Sequence, residues 1–246
     1  MVKRVRERIR KFWASLALLS VEMIAVLAIF IISLIAFVLI TRRVFHLRNE
    51  ALDFKVFDAL EPYVNETNNQ IMLAITFLGK HEFLIPANLI LIAYFLFIKR
   101  HKWYSIKVPA IALSSLALMF ILKNLFGRHR PLIPLLEEAR GLSFPSGHAL
   151  MSITFYGLLI YITYKSTENK PLKWSIISFL LILILLIGFS RIYLRVHYTT
   201  DVMAGFATGF LWLVFSIWMI NRMEKFSRRN IDPVVKDPTL SQATAN

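Results

Sequence analysis

Six apolar runs constrain this chain more than any other feature. They occupy Phe12 to Ile40, Ile71 to Ile98, Val108 to Phe126, Ala149 to Tyr164, Trp174 to Phe189 and Val202 to Ile220. At ~1.5 Å per helical residue, about 20 residues cross the ~30 Å hydrocarbon core, so each run is a candidate membrane span. The fourth is short unless its helix begins at Ser146. Of the 246 residues, 57% are hydrophobic, which is far from an ordinary soluble domain. The expected fold is all-α: a polytopic membrane protein with six transmembrane helices in one bundle. Residues 1–227 then form a single domain, and the polar, proline-containing stretch 228–246 is expected to be a disordered tail.

The first run follows six basic residues, Lys3, Arg4, Arg6, Arg8, Arg10 and Lys11, and so imitates a secretory signal. It is too long for one and ends in Thr41-Arg42-Arg43 without a small-residue cleavage site, so it reads as a retained anchor. The segment from Arg42 to Asn69 mixes acids, bases and isolated apolar residues, the pattern of an amphipathic helix lying at the outer interface. Glu22, inside the first run, has no evident partner in the sequence. The absence of cysteine rules out disulfides, thiolate nucleophiles and Cys-based metal sites.

A net charge of +14 could suggest nucleic acid, but its distribution argues for topology instead. Of the 29 Lys and Arg residues, 18 lie in the two tails and the 99–107 and 165–173 loops, and ten lie in the alternate segments, leaving Lys80. Short basic loops stay in the cytoplasm, which puts both termini inside and the third-to-fourth and fifth-to-sixth connections outside. The expected location is the bacterial inner (cell) membrane. No nucleic-acid partner is expected, and no protein partner is inferable.

Ionisable residues near a membrane are expensive and point to function. Three clusters fall on the outer connections: Lys123 with Arg128, Arg130 and Pro131; Pro145-Ser146-Gly147-His148; and Ser190-Arg191 followed by His197 and Asp201. Singly, each has a bland reading as a snorkelling anchor, a helix N-cap or a charge complementing a helix dipole. Together on one face, Lys123, Arg130 and Arg191 can converge with the free N–H groups of a Ser146-capped helix to bind a tetrahedral anion. Two unit charges ~4 Å apart attract by ~4 kcal/mol at an effective dielectric near 20, enough for three cations to hold a phosphate dianion. His197 and Asp201, four apart, would share one face of a continuous helix, with the carboxylate orienting an imidazole able to attack phosphorus. His148, from the other loop, could protonate the leaving oxygen.

Lys123-x6-Arg130-Pro131, Pro145-Ser146-Gly147-His148 and Ser190-Arg191-x5-His197-x3-Asp201 together resemble the three-part fingerprint of the type 2 phosphatidic acid phosphatase superfamily. The resemblance covers Lys123 to Asp201. It implies a helical bundle with an outer-face active site, and hydrolysis of a lipid phosphate or diphosphate with neither metal nor cofactor. It further implies a phosphohistidine at His197, Asp201 as its orienter and His148 as acid and then base. The phosphoryl oxygens would lie among Lys123, Arg130, Arg191, Ser146 and the Gly147 backbone. Polyprenyl diphosphate and phosphatidylglycerophosphate are the leading substrates, drawn from the surrounding bilayer.

Two positions depart from the family pattern. His129 stands where relatives often carry proline, and Arg195 where glycine is frequent. Arg195, with Arg128, is expected to supply extra substrate contacts that favour a diphosphate. A lipid transporter without hydrolysis, a vanadate-dependent haloperoxidase-like enzyme and a haem protein ligated by His148 and His197 are the competing readings. The haloperoxidase-like enzyme would use the same anion pocket, but that branch is mostly soluble and six spans argue against it; neither the transporter nor the haem protein explains three cations, a capped turn and a His-Asp pair occurring together. His46, His81 and His101 are read as structural, and Gly205-x3-Gly209 as a close-packing surface.

Overall fold

The computed structural model describes residues 21–131, 134–135 and 141–230. The side chain of Glu22, the start of the first apolar run and residues 231–246 of the expected tail lie outside the described residues. Among the described residues, eight α-helices follow in order: α1 (Val21–Thr41), α2 (Ala51–Leu60), α3 (Glu66–Phe77), α4 (His81–Ala93), α5 (Lys102–Phe126), α6 (Gly147–Ser166), α7 (Lys170–Tyr193) and α8 (Thr199–Asn230). Short π-helical turns end α1 (Arg42–His46) and α4 (Tyr94–Ile98). Among the described residues there is no strand. Because α8 continues to Asn230, Arg228 and Arg229 belong to the last helix rather than to the tail.

Among the described residues, five segments are long and apolar enough to cross a membrane: Met23–His46, Glu66–Ile98, Lys102–Phe126, Lys170–Tyr193 and Thr199–Arg229. The fourth expected span, α6, is 20 residues long and is not among them. It starts at Gly147 with Ser146 as its N-cap, and it carries buried Ser152, Thr154 and Tyr156. That polarity suits its place, because α6 packs on α5, α7 and α8. Around it lie two apolar clusters, one built on Leu84, Phe155, Leu180 and Ile187, the other on Val108, Ile111, Leu158 and Leu213. Large apolar side chains on the outer faces, such as Ile32, Leu113, Phe179 and Trp218, remain exposed for lipid.

The second apolar run is not one helix. Three i→i+3 bonds (Leu78 N to Ile75 O, Gly79 N to Thr76 O, Lys80 N to Phe77 O) close α3, and α4 starts afresh at His81. The Tyr156 hydroxyl donates to Leu78 O at 2.8 Å and holds the break against α6. The 42–69 segment also differs from a helix resting freely on an interface. Within it, α2 docks on α8, with Phe57 packed against Tyr198 and Val202 and Asp53 fully buried.

The expected close approach at Gly205 and Gly209 is present. A Cβ on Gly205 would lie 2.6 Å from Ser146 O, and one on Gly209 would lie 2.9 Å from Leu150 O. Glycine there lets α8 press against the first turns of α6. The helix start that carries Ser146, Gly147 and His148 is thereby seated directly on the element that carries Asp201.

Candidate active site

Each of the three polar clusters is delivered by a helix end. Helix α5 stops at Gly127, whose φ of 59° is easy only for a residue without Cβ and whose N–H bonds to Lys123 O at 2.9 Å. Lys123 sits in the last turn and donates from Nζ to Leu142 O at 2.5 Å. Beyond the turn, Arg130 donates from Nε to Gly141 O and from Nη1 to Val196 O, at 3.1 and 2.8 Å. These contacts stitch together the chain on either side of the second cluster and aim Arg130 at the third.

Ser146 caps α6 through Ala149 N at 3.5 Å, and its own N–H bonds to Asp201 O at 3.0 Å. As first-turn residues, Gly147 and His148 present N–H groups that have no acceptor within the helix. A Cβ on Gly147 would lie 2.6 Å from Met119 Sδ, so a larger residue here must displace that side chain. The His148 ring lies beside the break in the second apolar run, its Cδ2 being 3.0 Å from where a Gly79 Cβ would stand. Its Nε2 is buried without a hydrogen-bond partner among the described residues.

The third cluster hangs on one carbonyl. Arg191 O, at the end of α7, accepts from Val196 N and His197 N, both at 3.2 Å, and so folds the turn that presents His197. Arg191 itself is buried and donates from Nη1 to Thr76 Oγ1 at 2.8 Å. His197 lies in this turn ahead of α8 rather than on a continuous helix with Asp201, which corrects the expected i, i+4 geometry. Asp201, in the first turn of α8, accepts from Tyr198 N at 3.0 Å. This is the acid half of a capping box. The His197 Nδ1 to Asp201 Oδ2 distance is 3.6 Å, too long for a hydrogen bond.

His197 is 1% exposed, and its Nε2 lies 3.1 Å from Arg130 Nη1. Burial, followed by the charges of Arg130, Arg191 and Lys123, holds its pKa well below 6.5, against a smaller opposing effect from the Ser143 backbone. The resting imidazole is therefore neutral and has a lone pair to offer. The positive charge around it comes from the three cations that would receive an anion.

Two of the expected residues serve elsewhere. Arg128 is buried and donates from Nη1 to Asp201 Oδ1 (2.7 Å) and Thr200 Oγ1 (2.8 Å), and from Nη2 to Glu50 Oε1 (2.9 Å) and Asp53 Oδ2 (3.1 Å). Burial works against its charge, but Asp201, Glu50 and Asp53 outweigh it and raise its pKa. Arg195 pairs with Glu61 Oε2 and has a φ of 53°, the region where glycine sits without strain. The expected extra substrate contacts are thus occupied by carboxylates. The remaining eight expected residues, Lys123, Arg130, Ser146, Gly147, His148, Arg191, His197 and Asp201, come together at one end of the bundle.

Sequence reasoning missed Ser143, Thr200, Asp53, Glu50 and Thr76, which form the wall behind the site. Asp53 Oδ1 accepts from Thr200 N at 2.9 Å, and so caps α8 from a distant part of the chain. One usable signal was the apolar stripe Val56, Phe57 and Leu60 on α2, into which Asp53 falls one turn before Phe57.

A family model described as the PAP2 superfamily matches residues 104–225. Phosphatidylglycerophosphatase B of Bacillus subtilis is 30% identical over 190 residues, covering 73% of this chain and 89% of that protein. The chain belongs to the PAP2 superfamily. An undecaprenyl-diphosphatase of Bacillus subtilis is 25% identical, covering 76% of this chain and 98% of that protein. The crystal structure of a transmembrane PAP2-type phosphatidylglycerolphosphate phosphatase from Bacillus subtilis superposes with a TM-score of 0.67. It shares 26% identity and covers 80% of this chain and 96% of that chain. This PAP2 member is thus a multi-pass membrane protein. All three polar clusters lie within the matched span, whereas Glu50, Asp53 and Thr76 precede it.

Proposed function

We propose that the chain is an integral membrane lipid phosphatase that transfers the phosphoryl group of its substrate to His197 Nε2 and then to water. The carrying observation is the placement of that nitrogen. It is buried, neutral and 3.1 Å from Arg130, beside Lys123 and Arg191, with Nδ1 turned away toward Ser143 and Asp201. Lys123, Arg130, Arg191 and the start of α6 hold the phosphoryl oxygens, which supplies electrostatic stabilisation where charge builds up. His148, whose Nε2 has no hydrogen-bond partner among the described residues, protonates the leaving oxygen and then accepts a proton from the attacking water.

The substrate reading is a lipid carrying a single terminal phosphate, in the manner of phosphatidylglycerophosphate. What supports it is the engagement of Arg128 and Arg195, the cations that would read a second phosphate, by Asp201, Asp53, Glu50 and Glu61. Phosphate release by the purified protein should therefore show its highest kcat/KM on phosphatidylglycerophosphate or phosphatidate. Faster turnover of undecaprenyl diphosphate would overturn the substrate choice. Movement of lipid without phosphate release would overturn the hydrolase reading.

The site faces the outside of the cell membrane and both termini are cytoplasmic, a reading supported by the excess of Lys and Arg in the tails and in the 99–107 and 165–173 loops. Since the chain has no cysteine, single cysteines can report on it directly. Glu168→Cys should be shielded from an impermeant thiol reagent in intact cells, and Tyr63→Cys should be labelled. The reverse pattern would invert the orientation.

A further inference from the structure

Asp201 is placed to orient His197, yet their nearest atoms, Oδ2 and Nδ1, are 3.6 Å apart. Beside both stands the hydroxyl of Ser143, two residues before Pro145. It donates to Asp201 Oδ2 and lies 3.3 Å from His197 Nδ1, touching each of them. We propose that Ser143 is a positioning residue of the phosphatase, the hydroxyl through which Asp201 sets the tautomer and orientation of the attacking imidazole. This rests on the phosphohistidine reading given above.

The inference follows from counting protons. A serine hydroxyl has one hydrogen, and here the carboxylate takes it. Toward Nδ1 the oxygen can then only accept, so Nδ1 carries the imidazole proton. In the neutral ring that leaves Nε2 bare, and Nε2 is the nitrogen facing Arg130. When Nε2 forms its bond to phosphorus, the bond from phosphorus to the leaving oxygen breaks, and that oxygen takes the proton that His148 gains as the bound phosphate offsets the surrounding cations. The Nδ1 proton stays in place. The charge gained by the ring is met by a strengthened N–H···O–H···carboxylate chain, with no proton passing along it.

The rest of the site leaves Asp201 no more direct route. Its Oδ1 holds Arg128, and its Oδ2 already accepts from Tyr198 N. Ser143 is held as firmly as a relay requires. It is fully buried, its N–H bonds to Arg128 O at 2.7 Å, and the adjacent Phe144 is wedged among Phe37, Phe45 and Phe126.

The test is a double-mutant cycle on the full chain in nanodiscs. Ser143→Ala should lower kcat on the lipid about 10- to 100-fold, at or below the bottom of the ~10²- to 10⁴-fold range for losing an acid–base group itself, with KM changed less than about twofold. In an Asp201→Asn background the same substitution should cost less than about threefold, because the chain is already cut. In 15N-histidine spectra the His197 signal should move from pure Nδ1–H toward a mixture of tautomers in Ser143→Ala. Ser143→Thr, which keeps the hydroxyl, should retain the wild-type tautomer. Equal losses in both backgrounds, or an unchanged tautomer in Ser143→Ala, would overturn the role. Wild-type protein that yields no acid-quenched phosphohistidine at all would instead overturn the reading beneath it.

Discussion

His197→Gln is expected to leave phosphate release at background, a loss of at least about 10³-fold, in a protein that still folds and still binds lipid. The size of the loss follows from chemistry, because the other imidazole at this end of the bundle, His148, is assigned to proton transfer and Arg130 faces His197 Nε2 rather than it. Glutamine retains a polar group in the space of the ring, so the cations are not left facing a void. The pH dependence carries an independent signature. A nucleophile works only above its own pKa, and burial with three neighbouring cations pushes that of His197 well below 6.5. Measured as kcat/KM, which reports the free enzyme, phosphoenzyme formation should hold its rate as pH falls through 6.5 and decline only at lower pH. Binding of phosphate or vanadate neutralises the cations and moves the imidazole pKa upward. Turnover above about 1% of wild type in His197→Gln, or an acid limb at or above 6.5 that belongs to this residue, would contradict the assignment.

Most of what defines the reaction centre is legible in the sequence, because membrane burial makes every ionisable residue conspicuous. Lys123, Arg130, Arg191, His148 and His197 stand out against apolar surroundings, and alternation of loop charge places them on one face before any coordinates are consulted. The start of α6 could likewise be read from Ser146, whose capping chemistry is local. What the sequence hides is pairing across distance. Arg128 reads as a free cation near a phosphate site because its acids, Glu50 and Asp53, come from a segment whose mixed composition suits a surface helix. Ser143 is one small polar residue in a turn, and its role depends on a gap between His197 and Asp201 that their spacing does not reveal. Had both sat on one continuous helix, their side chains could have met directly. Because the helix begins only at Thr199, the two do not meet directly, and the Ser143 hydroxyl touches both from the side. The break at 78–80 is equally quiet, since a single Gly79 in an apolar run is tolerated in many helices. Here it makes room for the His148 ring.

Arg128→Met separates a structural cation from a substrate contact, and it is expected to lower stability by about 3 to 5 kcal/mol, the range for breaking a buried ion pair from one side. The guanidinium is the hub of a network. Its two terminal nitrogens serve Asp201, Thr200, Glu50 and Asp53, and its carbon lies 3.9 Å from the centroid of the Tyr198 ring. Methionine fills much of the volume and leaves Asp53 and Asp201, both fully buried, without their shared counter-charge. At roughly 2–4 °C per kcal/mol for a chain of this size, thermal unfolding in detergent should begin on the order of 10 °C earlier. Arg128→Lys recovers only part of this, because one ammonium cannot reach acceptors held by two prongs of a planar fork. Activity should fall through kcat, since Asp201 loses the partner that fixes Oδ1 and the orientation of His197 loosens with it. A substrate-binding arginine would behave in the opposite way, raising KM and leaving the melting temperature within about 2 °C. That pattern would return Arg128 to the phosphate pocket. A melting temperature that falls with KM preserved would instead make α2 a buttress of the reaction centre, joined to it through Asp53 and this one guanidinium.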